Sequence, residues 1–92
     1  MSRQKARVIY PGGEERIKYP LNLKKFTLAE LQQMVGGYIE IVHLPRGNGH
    51  VTAYCNEEGK LTGMDYNEKA SQIYGRLPSD CIVGPLVIVS TE

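Results

Sequence analysis

Tryptophan is absent from this chain, phenylalanine occurs once and cysteine only twice in 92 residues. Almost every large ring is therefore one of six tyrosines, whose hydroxyls suit partly wet pockets and interfaces better than a dry core. An excess of either charge is also missing: 11 Lys and Arg stand against 10 Asp and Glu, a formal net of +1. A protein that grips duplex nucleic acid by neutralising phosphates carries a clear basic excess, and a mimic of DNA carries an acidic one. The balance argues against both. The basic cluster Arg3, Lys5 and Arg7 reads as a solvated amino end.

Cys55 and Cys81 sit in apolar, strand-like surroundings with no CxxC or Cys/His spacing, so the expectation is two small packed thiols and no metal site. The start has no apolar segment of signal-peptide length and no run approaches a membrane span, so the chain reads as cytoplasmic. Catalytic signatures are missing too. His43, His50, Asp65 and Asp80 are candidate acids and bases, but none falls in the spacing of a nucleophile elbow, a zinc helix, a phosphate loop or a carboxylate pair. Cys55 has no base among its strand neighbours. The reading is a non-enzyme with no cofactor.

What is present orders itself into a single domain, 1–92, with residues 1–6 expected to fray. "KARVIY", "PGG" and "EERIKYP" predict a strand, a turn and a return strand, with Val8 and Tyr10 on one face and Ile9 on the other. "TLAELQQMVGG" predicts a helix with a Thr27/Glu30 capping box, an inward stripe of Leu28, Leu31 and Val35, and Gly36 as its stop. "GYIEIVHL" and "HVTAYCN" predict a hairpin around Pro45–Gly49, pairing Leu44 with His50, Val42 with Thr52 and Glu40 with Tyr54. On that register Ile39, Ile41 and His43 face the core with Val51, Ala53 and Cys55. "NEEGK" predicts a turn with Gly59 left-handed, and "NEKASQIYG" a short helix capped by Asn67 with Ala70, Ile73 and Tyr74 inward. "CIVGPLVIV" predicts a strand buried on both faces, with Gly84-Pro85 a bulge or corner. The fold expected is α+β: a mainly antiparallel bent sheet with two short helices.

The stretch Pro45-Arg46-Gly47-Asn48-Gly49-His50 holds a charge, an amide and an imidazole around two glycines. It lacks the Lys-Ser/Thr of a phosphate loop and opens onto a strand, but its backbone can form a small anion nest. Arg46, Asn48 and His50, with Tyr54 on the same strand face, are candidates for the rim of a nucleotide-type pocket. Tyr66, Asn67 and Arg76 around the second helix are candidates for completing it. Ninety-two residues do not easily hide both faces of the hairpin and the apolar end, so a homo-oligomer is expected, a dimer joined through Val42, Leu44 or the Gly84-Pro85 strand.

The order of "LQQMVGGYIEIVHL", "NEEGKLTGMDYNEKASQIYG" and "DCIVGPLVIV" resembles a family of small phage and mobile-element proteins catalogued as a domain of unknown function. The likeness runs from about Val8 to Val89 and carries no catalytic residues with it. It implies a viral product acting in the bacterial cytoplasm, often against host defences. On that resemblance the expected function is sequestration, without cleavage, of a nucleotide-derived immune signal such as a cyclic dinucleotide or an ADP-ribose derivative. A direct inhibitor of a host defence protein and a small hydrolase of a nucleotide signal are the alternatives.

Overall fold

A computed structural model describes residues 3–74 and 81–91, with the backbone alone at Arg46 and His50. Its elements follow in chain order as β1 (Gln4–Ile9), β2 (Glu15–Lys18), α1 (Leu28–Val35), β3 (Ile39–Arg46), β4 (Gly49–Asn56), α2 (Glu68–Tyr74) and β5 (Leu86–Thr91). The strands form one open antiparallel sheet in the order β2-β1-β5-β4-β3. The fold is α+β, as the hydrophobic pattern implies. Among the described residues no helix is long and apolar enough to cross a membrane.

β5 lies in the middle of the sheet, which is why its sequence is apolar without alternation: Leu86 and Val87 point to opposite faces and both are buried. Gly84 turns with φ 71° just ahead of Pro85, so the Gly-Pro pair is a corner and the strand starts after it. On one face α1 covers Ala6, Val8 and Val87, with Tyr54 and Ile39 packed at the margin. On the other, α2 covers Val42, Leu44, Ala53, Cys55 and Leu86. β1 begins at Gln4, inside the stretch expected to fray, because Gln4, Lys5 and Ala6 pair with Thr91, Ser90 and Val89.

The hairpin departs from expectation by one residue. Arg46 pairs with Gly49, so the loop is the two residues Gly47-Asn48, and Leu44 meets Val51, Val42 meets Ala53 and Ile41 meets Tyr54. Gly47 takes φ 58° while Asn48 keeps a negative φ, the pattern of a type II′ turn, in which glycine relieves the steric penalty at the first position. Because side chains alternate, one step of register sends every β3 residue to the other face. Val42 and Leu44, expected at a dimer surface, are core residues under α2 at 7% and 1% exposure; Gly84 is buried as well. Ile41, expected in the core, is 57% exposed.

Two smaller expectations also fail. Leu28 is 58% exposed, and Met34 joins Leu31 and Val35 in the inner stripe of α1. Gly59 is not left-handed; it is buried, and a Cβ there would come within 2.8 Å of Val83 Cγ2. Its bare backbone serves close packing, and the loop after β4 turns instead at Gly63, φ 73°.

Candidate functional site

The seven candidate residues are placed in separate regions. Asn48 is exposed at the tip of the β3–β4 hairpin, and Arg46 and His50 flank it in the strand ends. Tyr54 lies six residues along β4 from Asn48, about 20 Å at strand rise. Its half-buried ring packs into the α1 layer. Tyr66 is exposed beside α2, where its backbone bridges to Val83. Arg76 lies outside the described residues.

Asn67 cannot reach a ligand. It is fully buried, and its side chain is occupied at both ends. The amide donates to the carbonyls of Ile9 at 2.9 Å and Gly84 at 2.8 Å, while Oδ1 accepts from the Ala70 N–H. The spacing Asn67–Ala70 identifies the cap correctly. The two carbonyls come from β1 and the corner before β5, so the residue is a structural tie between three parts of the chain.

Three clefts lie elsewhere among the described residues, and none is lined by Asn48, Tyr54, Tyr66 or Asn67. The first, about 130 Å³, opens beside Glu40, Cys55, Lys60, Tyr74 and Cys81. Cys55 Sγ donates to the Glu40 carboxylate at 3.9 Å. Burial first, and the neighbouring Glu40 charge second, push this thiol up to about 11, so it stays protonated and is a poor nucleophile at neutral pH. The volume is below the few hundred Å³ that a nucleotide needs. A second cleft, about 280 Å³, lies between Tyr19, Leu21, Phe26 and Met34.

The third, about 430 Å³, is a shallow hollow where the chain leaves α1 for β3, lined by Gln32, Gly36, Gly37, Tyr38, Asn56, Glu58, Thr62 and Met64. Local chemistry builds it. Gly36 ends α1 in a left-handed cap, φ 82°, and both Gly36 and Gly37 return their N–H groups to Gln32 O. Asn56 then clamps the bend: its amide donates to Val35 O at 3.1 Å and its Oδ1 accepts from the Glu58 N–H at 2.8 Å. The Tyr38 ring is left 65% exposed beside the hollow. Sequence reading missed Asn56. The signal was there, since an Asn at a strand end before "EEG" is a common side-chain-to-backbone turn.

By fold this is a small α+β protein with a helix on each face of an open five-stranded sheet. Residues 5–92 match the family described as "Domain of unknown function (DUF3846)", and the chain belongs to that family. No curated protein and no solved structure matches the chain.

Proposed function

We propose that the protein binds and sequesters a nucleotide-derived signal of a bacterial host's immune response without cleaving it, as a phage-type accessory protein directed against host defence. The observation that supports this reading is the third cleft. Its volume falls in the range of small-ligand sites, and an exposed tyrosine ring stands at its edge, where a base can stack. The phage setting rests on the resemblance of the quoted segments.

The test is a binding screen of the purified protein against cyclic dinucleotides and ADP-ribose derivatives, followed by heat release of whatever is held. Intact nucleotide in the released fraction is the expected result, and Tyr38→Ala should weaken retention about tenfold, the loss of one stacked base. Chemically altered nucleotide means a hydrolase. No binding by any member of the panel overturns the reading and leaves direct contact with a host protein. That second reading draws on one observation: Leu21, Leu23 and Leu28 are all exposed around the loop before α1, and Leu23 is held at φ 65°, a strained setting for leucine.

A further inference from the structure

We propose that the loop between β2 and α1 docks on an anionic lipid membrane, with Leu21 and Leu23 entering the interface and Lys18, Lys24 and Lys25 resting on the headgroups. The inference is independent of the nucleotide reading: this loop meets the first turn of α1, and the third cleft lies at the helix's other end.

Two residues fix the roots of the loop, Pro20, fully buried, and Phe26, nearly so. Between them the chain turns outward. Leu21 is 89% exposed and Leu23 65%, with Asn22, Lys24 and Lys25 exposed beside them. This is not slack in the chain. The Leu23 N–H donates to Pro20 O at 3.0 Å and closes a turn, and Asn22 Oδ1 accepts from the Lys24 and Lys25 N–H groups at 2.9 and 3.0 Å. Leu23 is held at φ 65°, a setting that suits glycine or asparagine and strains leucine. With most of its surface in water, its side chain does not offset that strain by packing. Strain of this kind points to function.

The loop's backbone is closed in the way a lipid interface requires. Leu21 and Thr27 donate their N–H groups to the two oxygens of the Glu30 carboxylate, and the Phe26 N–H donates to Gln4 Oε1 at 2.8 Å. With those of Leu23, Lys24 and Lys25, six N–H groups from Leu21 to Thr27 are bonded inside the chain. Pro20 has none to satisfy. In water such closure is unnecessary, because solvent serves exposed donors. At an apolar interface an unpaired N–H is costly, so closure is a condition of entry. The same closure leaves few backbone donors for a protein partner, whereas a fluid apolar layer asks only for exposed side chains. The observations therefore favour lipid over a peptide.

Charge points the same way. The chain's net of +1 is unevenly spread. At the turn end of β2, Glu14 pairs with Arg16, and Glu15 pairs with Arg7 and Lys69. At the other end, Lys18, Lys24 and Lys25 are exposed and in no ion pair among the described residues. Arg3 joins them, its guanidinium 4.2 Å above the Tyr19 ring, and the Gln4 N–H donates to Lys24 O. The bordering carboxylate, Glu30, is turned to backbone N–H groups. A few basic residues or a few apolar side chains alone hold a membrane weakly; stable peripheral attachment takes both.

Vesicles of phosphatidylglycerol with phosphatidylethanolamine, and of phosphatidylcholine alone, are the probes. Wild-type protein should co-sediment with the first and not the second, and less as salt is raised. The chain has no tryptophan, so Leu21→Trp provides a single reporter. Its emission should shift to the blue on anionic vesicles and be quenched by bromine on the acyl chains. Leu21→Ser, at a side chain exposed in solution, should keep the wild-type circular dichroism and weaken vesicle binding about tenfold. Replacing Lys18, Lys24 and Lys25 together by glutamine should weaken it about a hundredfold. Leu23→Asn should unfold at no lower urea than wild type, yet bind vesicles about tenfold more weakly.

Absence of co-sedimentation overturns the proposal and leaves these leucines to a protein contact. Binding that the lysine variant loses but Leu21→Ser and Leu23→Asn keep is attraction by charge alone and overturns insertion, as does a tryptophan that stays in water. A Leu23→Asn protein less stable than wild type makes Leu23 a packing residue and overturns its place in the surface.

Discussion

The two helices are anchored in opposite ways, and the contrast explains what could be read from the sequence. α1 is started by a local device at the surface. Thr27 Oγ1 accepts from the Glu30 N–H at 3.2 Å, and Glu30 accepts from the Thr27 N–H at 2.9 Å. Both partners lie within four residues, so the signature is complete in "TLAE". α2 is started by Asn67, whose cap on Ala70 is equally local but whose two other bonds reach Ile9, 58 residues away, and Gly84, 17 away. One cap starts a helix; the other also fastens the helix to the sheet.

The contrast predicts unequal damage. Asn67→Ala removes the cap and strands two buried carbonyls, and should cost about 3 kcal/mol in a urea unfolding experiment. Asn67→Asp should be at least as harmful, because it keeps the cap acceptor but turns a donor toward two carbonyl oxygens into a buried charge. If either variant loses less than about 1 kcal/mol, the long-range bonds contribute little and the two caps are equivalent after all.

Thr27→Ala comes next. An exposed cap of this type is worth about 1 kcal/mol, so the urea midpoint should fall by a third as much as for Asn67→Ala. Thr27→Asp should be close to neutral, since Asp caps as well as Thr and its charge suits a helix amino end. A Thr27→Asp variant as unstable as Thr27→Ala would show that the hydroxyl does something besides capping.

The same division between near and far governs the rest of the fold. The capping box, the Gly36 stop, the Gly84-Pro85 corner and the doubly buried β5 are written in neighbouring residues, and each is where the pattern puts it. The hairpin strands were legible but their register was not. Pro45 to Gly49 reads naturally as a loop of five, whereas Pro45 continues β3 because on an edge strand its missing N–H can face outward. That one step hid Val42 and Leu44 and exposed Ile41. The candidate site suffered most. Asn67 has the look of a ligand residue because a buried amide and a binding amide are the same residue type, and only the folded chain brings Ile9 and Gly84 to it. Conversely, Tyr38 and Asn56 converge on one hollow from either side of a hairpin, a juxtaposition no spacing rule contains.

The smallest effect expected is in the pH dependence of the local cap. Backbone hydrogen bonds from Thr27 first and Leu21 second favour the ionised Glu30 carboxylate and hold its pKa below the ordinary value of 4.5. A group whose folded pKa is depressed contributes stability above its unfolded pKa and loses it as pH falls through the folded one. Wild-type protein should therefore shed this contribution on acidification. Glu30→Gln keeps an oxygen to accept from the Thr27 N–H, as glutamine does in other capping boxes, but has no charge to lose. At about pH 7 the variant should unfold at slightly lower urea than wild type, and by about pH 2 the two midpoints should converge. Asn67 is uncharged, so the α2 cap has no such term, and Asn67→Ala should stay displaced from wild type by the same amount at both pH values. A gap for Glu30→Gln that persists undiminished in acid would mean that the carboxylate acts through shape and not charge, and that the surface cap differs from the buried one only in reach.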